Sequence, residues 1–132
     1  MAAGGFRELG AWRFGMELAV LVFDLTAQQG ERRDEGDDAL RLAALEVPQR
    51  IAAGATDGRP RAWLRYLELA YQALDRLEAE AKRRWMVRDL QFVELVTRVR
   101  NELDALEEAS RQRASAAASS GDVELELLEE AA

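Results

Sequence analysis

The residues of this sequence best suited to hold a ligand are basic. Arg59, Arg61 and Arg65 lie close together, and Lys82, Arg83, Arg84 and Arg88 form a second run further along. Side chains of this type at this density neutralise phosphates, so the chemistry they offer is binding to an anion or an RNA backbone. Each group also has a plainer reading as exposed or intersubunit ion pairs. Cations such as Lys82, Arg83 and Arg84 are moreover favourable at the C-terminal end of any helix. Ion pairing is the expectation here and RNA contact the alternative.

Proton-transfer and metal chemistry find little to work with. The chain has no histidine and no cysteine, which excludes Ser-His-Asp and Cys-His nucleophiles, thiolate zinc sites and the Glu-x-x-His motif of di-iron bundles. Neighbouring carboxylates such as Glu78 with Glu80, or Glu107 with Glu108, sit in exposed patterns, where a solvated face is the expected role. The glycines form neither a G-x-x-x-x-G-K nor a G-x-G-x-x-G arrangement. No catalytic, cofactor-binding or metal-ligating residue is expected, and no small-molecule substrate.

Charge is unevenly distributed. The net charge is −7, but residues 114–132 carry five acidic and no basic side chains, whereas residues 50–100 hold eleven basic and seven acidic ones. The overall sign argues against a free-standing nucleic-acid binder, yet it conceals a basic middle.

The elements that must position these residues are helical. Apolar side chains make up 48% of the 132 residues, charged ones 33%, and no apolar run approaches a membrane span. No secretory signal is visible and cysteine is absent, so a cytoplasmic location is the default expectation. One stripe of a first helix, residues 9–28, consists of Leu9, Trp12, Met16, Ala19, Phe23 and Thr26. A second consists of Leu18, Leu21, Val22 and Leu25. A helix apolar this far round is buried on two sides, one in a bundle and the other against a second subunit. A charged connector, residues 31–38, ends in Asp37 or Asp38 as the cap of a second helix.

The second helix, residues 39–53, sets Leu40, Ala43, Ala44, Val47 and Ile51 on one stripe and points Leu42 and Leu45 elsewhere. Pro48 should bend it and Gly54 should end it. Pro60 suits the first position of a third helix, with Trp63, Leu67, Ala70, Leu74, Leu77 and Ala81 inward and an end near Arg84. After a break at residues 85–88, Phe92, Val96, Val99, Leu103 and Leu106 mark a fourth. Trp12 and Trp63 read as core or interface anchors rather than base-stacking platforms, while Trp85, beside the basic run, is left open.

These elements predict an all-α, antiparallel up-and-down four-helix bundle over residues 1–113. Residues 114–132 are expected to form a flexible acidic tail, with a linker at residues 114–121. Disorder of the segment DVELELLEE is the first reading; docking on a partner is the other. Leu18, Leu21, Leu25, Leu42 and Leu45 are the candidate oligomer interface.

The strings FRELGAW, RLAALEVPQRIAAG and WLRYLELA carry a family resemblance. Over residues 6–106 the chain resembles the four-helix-bundle proteins encoded in intervening sequences of bacterial 23S rRNA genes. That family is in turn similar to the accessory proteins of diversity-generating retroelements. Members typically read Arg-Ala-Ala-Val-Ser-Ile-Pro-Ser-Asn-Ile-Ala-Glu-Gly at the central string, which Ala43, Ala44, Pro48, Ile51, Ala52 and Gly54 match. Leu42, Glu46, Gln49, Arg50 and Ala53 depart from it, as do Gln72, Ala73 and Arg76 in the third helix. The apolar framework is retained while the polar signature is not, so no polar site residue is carried over. The resemblance implies a homo-oligomer, a five-membered ring, without catalytic activity. The partners it implies are the chain itself and RNA, or a reverse transcriptase with its RNA.

Overall fold

One helix opens at the capping carboxylate of Asp34 and closes at Gly58, the next opens at Pro60, and the last opens behind Asp89, whose side chain accepts from the Phe92 amide. The computed structural model describes residues 5–28, 34–84 and 86–120. They form α1 (Gly10–Ala27), α2 (Glu35–Asp57), α3 (Pro60–Arg83) and α4 (Leu90–Ser120), with short 3-10 turns at Gly5–Glu8 and Met86–Arg88. Among the described residues there is no strand, and no helix is long and apolar enough to cross a membrane.

Neighbouring helices meet with their numbering running in opposite senses. Gly15 faces Pro48 while Arg41 reaches Thr26 between α1 and α2. Glu46 pairs with Arg76 and Asp37 with Arg84 between α2 and α3. Tyr71 bonds Asp104, and Asp75 pairs with Arg100, between α3 and α4. Gly10 approaches Glu102, and Arg98 lies over Phe14, between α4 and α1. This is the antiparallel four-helix bundle that the periodicity predicts.

The core is continuous through the four helices. Leu18 and Val22 of α1 meet Leu40, Val47 and Ile51 of α2, Leu67, Leu74 and Leu77 of α3, and Phe92, Val99 and Leu103 of α4. Each such side chain contributes about 1.5–3 kcal/mol by leaving water. The predicted inward stripes of α2, α3 and α4 are buried, apart from Leu106, which is half-buried.

Several boundaries differ from expectation. Neither Asp37 nor Asp38 is the cap of α2. Asp34 is: its side chain accepts from the Asp37 amide, and Asp37 accepts in return from the Asp34 amide at 3.0 Å. In a run this rich in carboxylates, the pair spaced three apart wins because it satisfies two helix-end donors at once.

Gly54 does not stop α2. It is buried, and a Cβ there would lie 2.7 Å from the Trp63 ring and 2.8 Å from the Tyr66 Cβ, so it is a site of close helix approach. The stop is Gly58, at φ 78°, whose amide bonds the Gly54 carbonyl. α2 continues through Pro48, which is buried against Gly15.

The expected linker at residues 114–121 is helix as far as Ser120. Alanine has the highest helix propensity, and extending a formed helix avoids the unfavourable nucleation step. The tail from residue 121 onward, residues 29–33 of the connector, and Trp85 lie outside the described residues.

Candidate functional site

Tertiary structure divides the basic residues by how much of their charge is already matched. At the start of α3, Arg59 closes onto Asp57 at 2.8 Å and holds that carboxyl below its usual range, chiefly through the hydrogen bond. Arg61 also has an interaction within the chain, and Arg65 is exposed. At the far end, Arg83 pairs with Glu80 at 3.3 Å.

Arg84 is a structural clamp. It binds Asp34 and, at 3.0 Å, the buried Asp37, tying the end of α3 to the capping box of α2. The Arg84 hydrogen bond lowers the pKa of Asp34, and that same bond raises the guanidinium's own. Its buried Nε makes no hydrogen bond, so the fork is aimed at the two carboxylates and not at an incoming ligand. Arg84 is therefore corrected from a contact residue to a fold residue. Only Lys82 and Arg88 of this run are exposed and without an ion pair among the described residues.

The five candidate interface leucines also separate. Leu18 is completely buried inside its own bundle and is unavailable to a partner, which corrects the expectation. Leu21 and Leu45 are half-buried against the core and Leu25 is half-buried. Leu42 alone is open, at 61% exposure. The reason is rotational: packing turned inward the arc between the two apolar stripes of α1, burying Leu18 and Val22 of one with Ala19 and Thr26 of the other. It left Trp12, Met16 and Phe23 half-buried on one shoulder, at the rim, and Leu21 and Leu25 on the other.

Val20, which belonged to neither predicted stripe, completes that rim at 56% exposure. Trp12, Met16, Val20 and Phe23 follow one another at helical spacing along the outer edge of α1. Leu42, Leu45, Gln49 and Ala52 do the same on α2. Phe6 packs edge-on against Trp12 at 5.5 Å, closing one end of the seam. Arg41 closes the other, with its guanidinium 4.7 Å from the centre of the Phe23 ring and its Nε donating to the Thr26 hydroxyl.

Between α3 and α4 polar side chains pair across the helices. Arg100 bridges Asp75 and Glu78. Burial works against its charge, but the bonds to Glu78 and Asp75 outweigh that effect and raise its pKa. Tyr71 donates to Asp104, and its hydroxyl is made less acidic first by burial and then by that carboxylate. The suspect carboxylates are similarly engaged: Glu78 with Arg100, Glu80 with Arg83, Glu107 with Arg111, and Glu108 with Gln112. Among the described residues, no three acidic side chains converge as a metal site would require. Trp63 is buried in the core and offers no face for stacking a base, while Trp12 is half-buried at the seam against Phe6.

The chain matches no family model, and no curated protein or solved structure aligns with it significantly.

Proposed function

We propose that this protein is a non-catalytic, homo-oligomeric helical-bundle scaffold or adaptor that presents a repeated surface to a partner. The observation that carries the reading is the α1–α2 outer seam. Val20 and Leu42 stand more than half exposed beside the half-buried Trp12, Met16, Phe23 and Leu45. Aromatic and large aliphatic side chains gathered on one face, with few charges among them, are the composition of an interface centre. Scattered single apolar residues would carry no such meaning. A second copy that covers the seam gains this apolar area, and cyclic symmetry repeats every other surface feature around the assembly.

The resemblance to the intervening-sequence proteins adds the expectation that the ring has five members. An RNA-binding accessory, acting with ribosomal RNA or a reverse transcriptase, has weaker support. Four of the seven candidate basic residues are engaged within the chain, and phosphate contact needs free cations.

Light scattering on the full chain at micromolar concentration tests the proposal. An oligomer is expected, and Val20→Asp combined with Leu42→Asp should yield monomers of unchanged helicity by circular dichroism. A monomeric parent chain rejects the scaffold reading.

A further inference from the structure

The α2–α3 edge is closed by ion pairs at two points and left unmatched between them. Glu46 pairs with Arg76 near the middle of the edge, and Asp57 with Arg59 at its end. Arg50 follows Glu46 by one turn of α2, and Arg65 precedes Arg76 by three turns of α3, so both lie on the strip between those pairs. Gly54 fixes the register, since it meets Trp63 and Tyr66. Arg50 is one turn from Gly54 and Arg65 is next to Tyr66, which sets the two arginines within about two turns of each other, roughly 10 Å.

The strip is positive. Arg50, Arg59, Arg61, Arg65 and Arg76 stand against Glu46, Asp57 and, on the flank, Glu68: five cations to three anions. The two pairs take one cation for each carboxylate. Among the described residues Arg50 has no hydrogen bond or ion pair, and Arg65 acts only at a distance, on an Asp57 carboxyl that Arg59 already holds. Like charges across a helix pair repel until an anion stands between them. Tyr66 and Leu69 are half-buried in the same strip, so an occupant gains by carrying apolar side chains among carboxylates.

The chain supplies a segment of that composition at the same end of the bundle. Residues 122–130 read DVELELLEE: Val123, Leu125, Leu127 and Leu128 interleaved with five acidic and no basic residues. We infer that this segment turns back over the start of α3 and docks on the α2–α3 edge of its own chain, with its carboxylates on Arg50 and Arg65. The contact is separate from the α1–α2 seam and does not depend on self-association. An anionic partner arriving at this edge must first displace the segment.

The length of the chain permits the contact. Tyr71 with Asp104 and Asp75 with Arg100 set the register of α3 on α4, which puts Arg65 level with residue 110. Ser120 then lies about 15 Å further along the bundle, and the α2–α3 edge lies one to two helix widths, about 10–20 Å, across it. Ten extended residues from Ser120 to Glu130 reach roughly 35 Å. Lys82 and Arg88 stand near the start of α4, about 45 Å from Ser120 and out of reach. The other cations at the near end, Arg7, Arg13, Arg111 and Arg113, are offset one for one by the neighbouring Glu8, Glu17, Glu107 and Glu108.

Because the chain lacks cysteine, disulfide trapping in full-length protein tests this directly. Ala53→Cys, exposed on the strip beside Arg50, is combined with Leu127→Cys. In the control Glu8→Cys replaces Ala53→Cys; its neighbour Gly10 meets Glu102, about 27 Å before Ser120, so its reach is comparable. The intramolecular disulfide is expected to form at least about tenfold faster than in the control, because docking raises the local thiol concentration. Arg50→Glu with Arg65→Glu should bring the rate down to that of the control, with helicity unchanged by circular dichroism. Raising the salt to about 0.5 M should slow trapping in the same direction without either substitution. A rate no faster than the control overturns the inference, as does one indifferent to both charge reversal and salt. A disulfide formed only between chains also overturns it, since the segment then sits on a neighbour.

Discussion

The two sides of this bundle solve the same packing problem with different residues. Between α3 and α4, and between α2 and α3, the outer edges are closed by polar pairs: Arg100 with Asp75 and Glu78, Tyr71 with Asp104, Arg76 with Glu46. Along the α1–α2 edge the outer rim is Trp12, Met16, Val20, Phe23, Leu42 and Leu45, with Arg41 over the Phe23 ring at one end. A rim of matched charges is stable against water by itself. A rim of apolar side chains gains by being covered. The proposed self-association surface rests on that difference rather than on total hydrophobicity, because it contrasts edges of one molecule with one another.

The largest effect expected separates the buried core from the exposed rim. Leu18→Ala empties a fully buried site and should cost about 3 kcal/mol, lowering the melting temperature by roughly 10 °C. Leu42→Ser, at an exposed site, should change the unfolding of the dilute chain by less than about 0.5 kcal/mol while weakening association. Equal melting temperatures for the two variants would erase the distinction between core and rim.

Next comes the clamp at the charged end. Arg84→Ala strands the buried Asp37 and loosens the cap of α2, and should cost about 2 kcal/mol in urea unfolding. Arg76→Ala removes an exposed pair and should cost less than about 0.5 kcal/mol. If both cost the same, the polar edges are uniform and Arg84 holds no special position.

Gly54→Ala should follow, at about 1–2 kcal/mol, because the added methyl meets Trp63 and Tyr66 at the α2–α3 approach and outweighs the gain in helix propensity. Gly58→Ala should cost about 1 kcal/mol for a different reason, its positive φ.

The smallest effect is with pH. Asp34 has its carboxyl lowered from 3.8 by Arg84, so its contribution is present above that ordinary value and lost as pH falls through the lower folded one. Thermal stability should therefore drop below about pH 4, and Asp34→Asn should make that drop shallower.

How much of this was legible in the sequence varies with the kind of signal. The inward stripes of α2, α3 and α4 were readable because each helix has one dominant apolar face, and Pro60 marked the start of α3 as a proline does at any helix opening. The stop of α2 was not. Gly54 and Gly58 are both glycines near a helix end, and only the approach of Trp63 shows which of them serves packing and which serves the turn. The exposed apolar residues were half legible. Leu42, off the stripe of α2, is exposed as its position suggests, whereas Leu18 is buried and the exposed Val20 lay on neither stripe, because periodicity counts faces without orienting them. The role of Arg84 could not be read at all, since its partners Asp34 and Asp37 lie far back in the chain.

Local order therefore determined that this chain would be four amphipathic helices, with polar connections and no histidine or cysteine chemistry. Helix formation depends on neighbours three and four residues apart, and composition needs no fold to be read. The rotation of α1, the clamp at Arg84 and the exposed seam were decided only when the helices packed. A helix apolar over so much of its circumference has no internal reason to turn one arc inward, and the surfaces of α2, α3 and α4 decided which arc it was.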